Sequence, residues 1–388
     1  MCAAAWVRGG FAAASTGHDC HEGLPGSVRF AIRIGTPARG VRPRFWSGRT
    51  VMHPAVPRIL SAEFTDLGAF SAAMQDGEAE NMQLGAGALR LRLTLAEFGP
   101  VRVHANAVDN SYLARATVHR DRWAVFFDLG AVPGRSRING LHIGSAGAVL
   151  FGPGAELHAQ VAKGQQWAML TLSSDPVAAM LDGVAAPGAG QVGHVPDLLH
   201  RTPALAALAR DLALAARADP ARLERRAVGA AVTEQVMGAL VEGLAGAPAA
   251  DDVRAGRRQL RLVGSAVEYL EAALEGPVYT QSVCAALDVG PRALNAAFRS
   301  VYGVTLQQYL LTRRLNLARS RLREPEGPVL VKQIALDAGF WHFGRFSLAY
   351  RRMFGETPSA TLANRPGRSS FVPGVCAPPY SAHIKTTR

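Results

Sequence analysis

Leu89, Leu91, Leu93 and Leu95 are separated by Arg90, Arg92 and Thr94. Apolar side chains at every second position put one face of an extended chain in a core, so a strand is predicted. Val101 and Val103 resume the alternation after Gly99-Pro100, and Trp123–Leu129, Ala148–Phe151 and Trp167–Leu172 are further apolar runs of strand length. Between Ser136 and Ile143, Asn139-Gly140 separates two short β-like runs. A type I′ turn needs positive φ at both central residues, and Asn-Gly supplies it, so a hairpin is predicted there. Many short strands joined by Gly, Pro and Asn turns predict a β-barrel or sandwich.

The period then changes. Residues 183–195 are rich in Gly, Ala and Pro and are expected to form a loop. Pro203–Arg217 and Pro220–Leu244 follow with helical spacing, and Val228, Val232, Val236, Leu240 and Leu244 form a stripe in the second. That stripe suits packing on the barrel or a dimer interface. Residues 246–256 are expected to be a linker.

From 257 to 366 the pattern is one of short helices and short loops, beginning with a face of Val263, Val267, Leu270 and Leu274. Thr280 can cap a short helix through Leu287, Asp288-Val289-Gly290 makes a turn, and Pro291 starts the next helix where a missing N–H costs nothing. Leu294, Phe298 and Tyr302 line the inner face of that helix. Two short helices around a tight turn are the spacing of a helix-turn-helix motif. A second copy follows: Val331–Ala338, the turn Gly339-Phe340-Trp341, then His342–Phe354 with Phe346, Tyr350 and Phe354 inward. Between the copies, Leu306–Leu322 predicts a helix about 25 Å long. It could hold two reading helices roughly 34 Å apart, one turn of DNA.

Composition sharpens this picture. The chain has 388 residues, 48% of them hydrophobic and only 19% charged, yet its formal net charge is +12. Residues 257–366 alone carry 15 Lys/Arg against 8 Asp/Glu. An excess of that sign calls for a polyanionic partner, and double-stranded DNA suits paired helix-turn-helix motifs. The four cysteines, Cys2, Cys20, Cys284 and Cys376, lie far apart with no metal spacing, which argues against a disulfide framework or a structural zinc and for a reducing cytoplasm. No apolar run is long enough for a membrane-spanning helix. Residues 1–51, Arg-rich and without sustained period, are expected to be a disordered extension, as is 367–388. The organisation expected is therefore an effector-binding and dimerisation domain at 52–245, a linker at 246–256 and a DNA-binding domain at 257–366.

Gly147–His158 faintly resembles the second motif of the cupin barrel, which raises an enzymatic alternative. The His-x-His of the first cupin motif is absent, and His104, His119, His142 and His158 stand singly. Metal catalysis needs several ligands converging on one ion. No catalytic residue, metal or cofactor is therefore assigned, and the barrel is read as a container for a small molecule. The alternatives left open are a metal-dependent cupin-like enzyme with a DNA-binding tail and an effector-independent DNA-binding protein.

The C-terminal 110 residues resemble the AraC/XylS-type transcription regulators. Arg314-Leu315, Ala318-Arg319 and Leu322 are similar to the family's connecting helix. Ile334-Ala335, Ala338-Gly339-Phe340, Phe346, Phe354-Gly355 and Thr357-Pro358 are similar to its signature through the second motif. Asp288 and Gly290 stand where the family often has Gly and Ser; Asp tolerates left-handed backbone and Gly can cap. Cys284 replaces a usual Ala as a small buried thiol. The resemblance implies an α+β protein, a cupin-like β-barrel sensor with flanking helices followed by an all-α domain with two helix-turn-helix motifs. It also implies a transcription regulator, more often an activator, working with a small effector, RNA polymerase and a second copy of the chain. Carried over by position, Arg292, Asn295 and Ala296 in the first motif, and His342, Gly344, Arg345 and Leu348 in the second, would face bases. Gly344 stands where a polar residue is usual and offers no side-chain contact. Arg299, Arg351 and Arg352 would meet phosphates.

Overall fold

The alternating leucines form one side of a strand. The computed structural model describes residues 57–74, 79–130, 136–175, 187–245, 254–273, 279–324, 327 and 329–364. Among them, β1 (Arg58–Phe64), β3 (Leu91–Phe98), β4 (Val101–Val108), β11 (Gln166–Ser173), β6 (Arg122–Asp128), β9 (Ala148–Phe151) and β12 (Val192–Val195) pair in that order as a seven-stranded antiparallel sheet. A second antiparallel sheet runs β2 (Ala79–Gln83), β5 (Tyr112–Thr117), β10 (Glu156–Val161), β7 (Arg137–Ile138), β8 (Leu141–His142).

Leu91 and Leu93 are buried between the sheets with Tyr112, Phe126, Phe151 and Trp167. The alternate residues of the larger sheet, among them Phe98, Val103, Phe127 and Leu170, are buried on its other face. They meet helices α3 (Pro203–Ala218) and α5 (Arg226–Leu244) there. A sheet covered on both faces explains why Trp123–Phe127 is a continuous apolar run rather than an alternating one. Val232, Val236, Leu240 and Leu244 belong to this same core, so the α5 stripe is turned toward the sheet.

Several expectations are corrected. The strands make a two-sheet sandwich, not a closed cupin-like barrel. Closure would require every edge strand to find a partner. Among the described residues, β1 and β12 end one sheet and β2 and β8 end the other. The expected loop at 183–195 contains β12, whose Val192 pairs with Phe151. The helix expected from Pro220 to Leu244 is two: α4 (Pro220–Leu223) stops, Arg225 is extended (φ −74, ψ 130), and α5 restarts at Arg226. Strands β1, β2, β5 and β10 and helices α1 (Leu67–Met74) and α2 (Leu198–Arg201) were not legible as elements. Residues 1–51, 246–253, Leu274 and 367–388 lie outside the described residues.

The Asn139-Gly140 hairpin forms as expected, with φ 50 and 81 joining β7 to β8. Asn139 does more than turn. Its Nδ2 donates to Glu156 O (2.9 Å), its Oδ1 accepts from the backbone N–H of His158 (2.7 Å), and the residue is almost fully buried. Replacing Asn139 with Ala should therefore lose the favoured left-handed residue and strand two buried backbone groups. A loss of about 2–4 kcal/mol is expected in urea unfolding, and a loss below about 0.5 kcal/mol would contradict this account.

Candidate nucleic-acid interface

Within the helical region the same arrangement, two helices around a left-handed turn residue, occurs twice, and the two copies align in sequence. In the first, α7 (Thr280–Ala286) leads through Asp288 (φ 50) to α8 (Pro291–Tyr302), which ends at the left-handed Gly303. In the second, α10 (Val331–Asp337) leads through Gly339 (φ 80) to α11 (Phe343–Phe354), which ends at the left-handed Gly355. The turn bonds correspond: Val289 N–H to Cys284 O (3.0 Å), and Phe340 N–H to Ala335 O (2.8 Å). Asp288 thus takes the backbone conformation that Gly339 takes in the other copy. The second turn is one residue longer, and Trp341 lies in it.

The connecting helix α9 (Leu306–Arg323) begins at a capping box between Thr305 and Gln308. The final helix α12 (Pro358–Ala363) begins at Thr357, whose hydroxyl accepts from Ala360 N–H. Both N-caps sit two residues past the left-handed glycine of the preceding helix, so the repeat extends that far. Leu294, Phe298 and Tyr302 are buried in one cluster, and Phe346, Tyr350 and Phe354 in another, as expected. Burial pushes the Tyr350 hydroxyl up to about 12, and it donates to Thr361 Oγ1 (2.9 Å), tying α11 to α12.

The sequence-assigned residues are placed as follows. Arg292, Ala296 and Arg299 are exposed on α8. Gly344, Arg345, Leu348, Arg351 and Arg352 are exposed on the face of α11 away from its core, with exposed His342 as its N-cap. Gly344 has open space where a Cβ would stand. Asn295 is different. It is half-buried, its Oδ1 accepts from Leu306 N–H (3.2 Å) and its Nδ2 donates to Pro291 O (2.9 Å). Its amide therefore fastens α8 to the start of α9.

No sequence pattern announces what holds these helices from behind. The outer face of the five-stranded sheet is packed against them. Met82 and Leu113 share a buried cluster with Val263, Val267 and Leu270 of α6 (Arg254–Ala272) and with Phe298 and Tyr302 of α8. Beside that apolar row, Arg115 Nη1 meets Glu271 Oε1 at 2.6 Å, and Tyr302 Oη lies 2.7 Å from His158 Nδ1. Burial raises the Tyr302 hydroxyl well above its ordinary value, so it stays protonated and able to donate. Gly303 is favoured by its φ of +69; a Cβ there would also press on the end of the Gln160 side chain, which would have to swing aside.

The second motif is held too. Gln83 N–H donates to Asn316 Oδ1 (2.9 Å) while Asn316 Nδ2 donates to Gln83 O (3.0 Å). The Gln83 side-chain amide donates to Met353 O (2.8 Å), and so does Gly87 N–H (2.9 Å). Met353 O is one of the last four carbonyls of α11, which lack partners within their own helix. The end of β2 and the loop that follows it thus cap the C-terminus of α11. Asp66 adds a contact to Arg323 at 3.4 Å.

Residues 283–364 match a helix-turn-helix domain family. The chain is 37% identical over 100 residues to the XylDLEGF operon transcriptional activator 1 of Pseudomonas putida, an overlap of 26% of this chain and 30% of that protein. It is 36% identical over 106 residues to the HTH-type transcriptional regulator ArgR of Pseudomonas aeruginosa, covering 27% of this chain and 32% of the other. The chain therefore spans about a third of the length of these relatives. Among solved structures, a probable AraC family transcriptional regulator from Rhodopseudomonas palustris is 33% identical, with 27% of this chain and 99% of that one covered and a TM-score of 0.26. The repeated motif geometry and the matched relatives meet in one segment: residues 283–364 form an AraC/XylS-type helix-turn-helix domain.

Proposed function

We propose that this protein is a DNA-binding transcription regulator, acting as an activator, that senses a small molecule in its sandwich. The observation that carries the reading is the pair of motifs, each presenting a second helix with its core face buried and its outer face open. Arg292 and Arg345 are the side chains suited to guanine, through paired bonds to O6 and N7. Ala296 and Leu348 suit thymine methyls, and His342 stands at the entry of α11. Arg299, Arg351 and Arg352, near the helix ends, suit phosphates. Asn295 acts by positioning. Relatives named as transcriptional activators support the sign of regulation.

The effector reading is supported from inside the sandwich. Asn106 lies on β4 between Leu93 and Trp167, on the face that looks into the space between the sheets. It is 5% exposed, and neither its Nδ2 nor its Oδ1 has a hydrogen-bond partner. A buried amide without partners is costly. A small molecule carrying one acceptor and one donor would satisfy both of its groups. Its signal would reach the reading helices through the sheet contacts, since the same five-stranded sheet touches α8, α9 and the end of α11.

Three outcomes are expected. Arg292→Ala and Arg345→Ala should each cost about 1–3 kcal/mol on the preferred duplex and little on random DNA, whereas Arg351→Ala should weaken both alike and lower the salt dependence. Titrations of the full chain at low and physiological salt decide this, and binding that is sequence-blind in every variant would refute the regulator reading. Asn106→Leu should raise stability by about 1 kcal/mol, because it removes unsatisfied polar groups, while ending any thermal shift produced by a metabolite panel. Gln83→Ala should speed hydrogen exchange at residues 353–356 and weaken specific DNA binding several-fold, with α8 unchanged; unaltered exchange there would mean that the end of β2 does not hold α11.

A further inference from the structure

We propose that α11 reads a guanine flanked by thymines, with Leu348 and Trp341 packing against thymine methyl groups on either side of the base held by Arg345. The inference rests on the DNA-reading function proposed above and names the class of sequence that this helix takes.

Among the described residues of the helical half, five large apolar side chains are exposed, Tyr279, Leu311, Leu330, Trp341 and Leu348; of these only Trp341 (68%) and Leu348 (62%) lie on or directly ahead of α11. The corresponding helix of the first motif exposes no large hydrophobic residue. Leu348 is in the middle of α11, on the side opposite Phe346, Tyr350 and Phe354. Arg345 is three residues before it and therefore its neighbour on the helix surface. Trp341 stands just ahead of the helix, in the residue by which the second turn exceeds the first. Gly344 lies between them, with no atom within 4 Å of where its Cβ would be. The result is a guanidinium with an apolar group one turn to each side and a gap in the middle that lets a surface approach closely.

The chemistry of the occupant follows from the surroundings. Helix α11 has no acidic residue and carries Arg345, Arg351 and Arg352, while exposed Lys332 lies over the Phe343 ring at 5.4 Å. An apolar pair set among cations suits a surface that is anionic overall but carries isolated methyl groups. The major groove at thymine is such a surface, because the C5-methyl is the one apolar group on a base edge there. By repeat position, Leu348 corresponds to Ala296 in the first motif, counting back from Gly355 and Gly303. Both copies therefore place an aliphatic side chain at this point, and the longer one reaches further.

The test uses the full chain and a randomised duplex pool. After enrichment, the half-site read by α11 is located as the one where Arg345→Ala loses discrimination. Thymines in it are then replaced singly by deoxyuridine, which removes only the methyl group. Wild type should lose about fourfold in affinity per methyl, the value of one buried methylene-sized group. Leu348→Ala should bind the thymine duplex about as weakly as wild type binds the deoxyuridine one, and should be indifferent to the replacement. Trp341→Ala should behave likewise at the thymine on the other side. Both side chains are mostly exposed, so unchanged melting temperatures are expected for the two variants. Enriched half-sites without thymine, or deoxyuridine duplexes bound as tightly as thymine ones, overturn the proposal while leaving the regulator reading intact. Variants that bind every duplex like wild type but fail to activate transcription overturn it in favour of a protein contact at this face. Failure to enrich any sequence removes the regulator reading, and this inference with it.

Discussion

The five-stranded sheet is buried on both faces, and that constraint organises the rest of the molecule. Its inner side chains, Tyr112, Ala159 and Val161, close the sandwich. Its outer ones, Met82 and Leu113, complete the core of the first helix-turn-helix motif. Polar groups buried in that outer face need partners on the helices opposite. Arg115, His158 and Gln83 accordingly reach Glu271, Tyr302 and Met353 on the helices opposite. Each such bond adds only about 1 kcal/mol net, but a missing partner would cost more than that. The polar pairs therefore fix where the helices sit, while the apolar row supplies the attraction.

The two motifs are copies in geometry and differ in what they present. The first is seated on the apolar row and fastened to α9 through Asn295. The second has its own cluster of Phe346, Tyr350 and Phe354 and is joined to the sandwich through backbone groups at its far end. The first is thus held by packing together with the His158–Tyr302 contact, and the second by hydrogen bonds to Met353 O. Their outer faces diverge in the same way, with Ala296 in one and Leu348 in the other.

Much of the DNA-binding half was legible because its signals are local. Pro291 at a helix start, a left-handed residue at 288 and glycines at 303, 339 and 355 mark helix ends whatever surrounds them. The Asn139-Gly140 turn belongs to the same class. The sandwich was read less well. Strands β5 and β10 alternate side chains between two cores, so no local pattern marks His158 and Arg115 as the seam residues they are. A stripe such as Val232–Leu244 looked the same whether it met a sheet or a second chain. The break at Arg225 had no Pro or Gly to announce it. Contacts such as Gln83 with Asn316 join positions 233 apart, and no periodicity encodes a pairing of that kind.

The cap that the end of β2 and the loop after it place on α11 has a consequence for modularity. A chain laid out as a sandwich followed by a helical half invites exchange of the halves, as if a cut between residues 245 and 254 separated two independent parts. Here the cut would fall in the wrong place. A grafted helical half would arrive with Met353 O uncapped and with a core lacking Met82 and Leu113. A working chimera has to carry the outward rows of β2, β5 and β10 along with the helices they serve, so the unit of inheritance crosses the chain's own boundary.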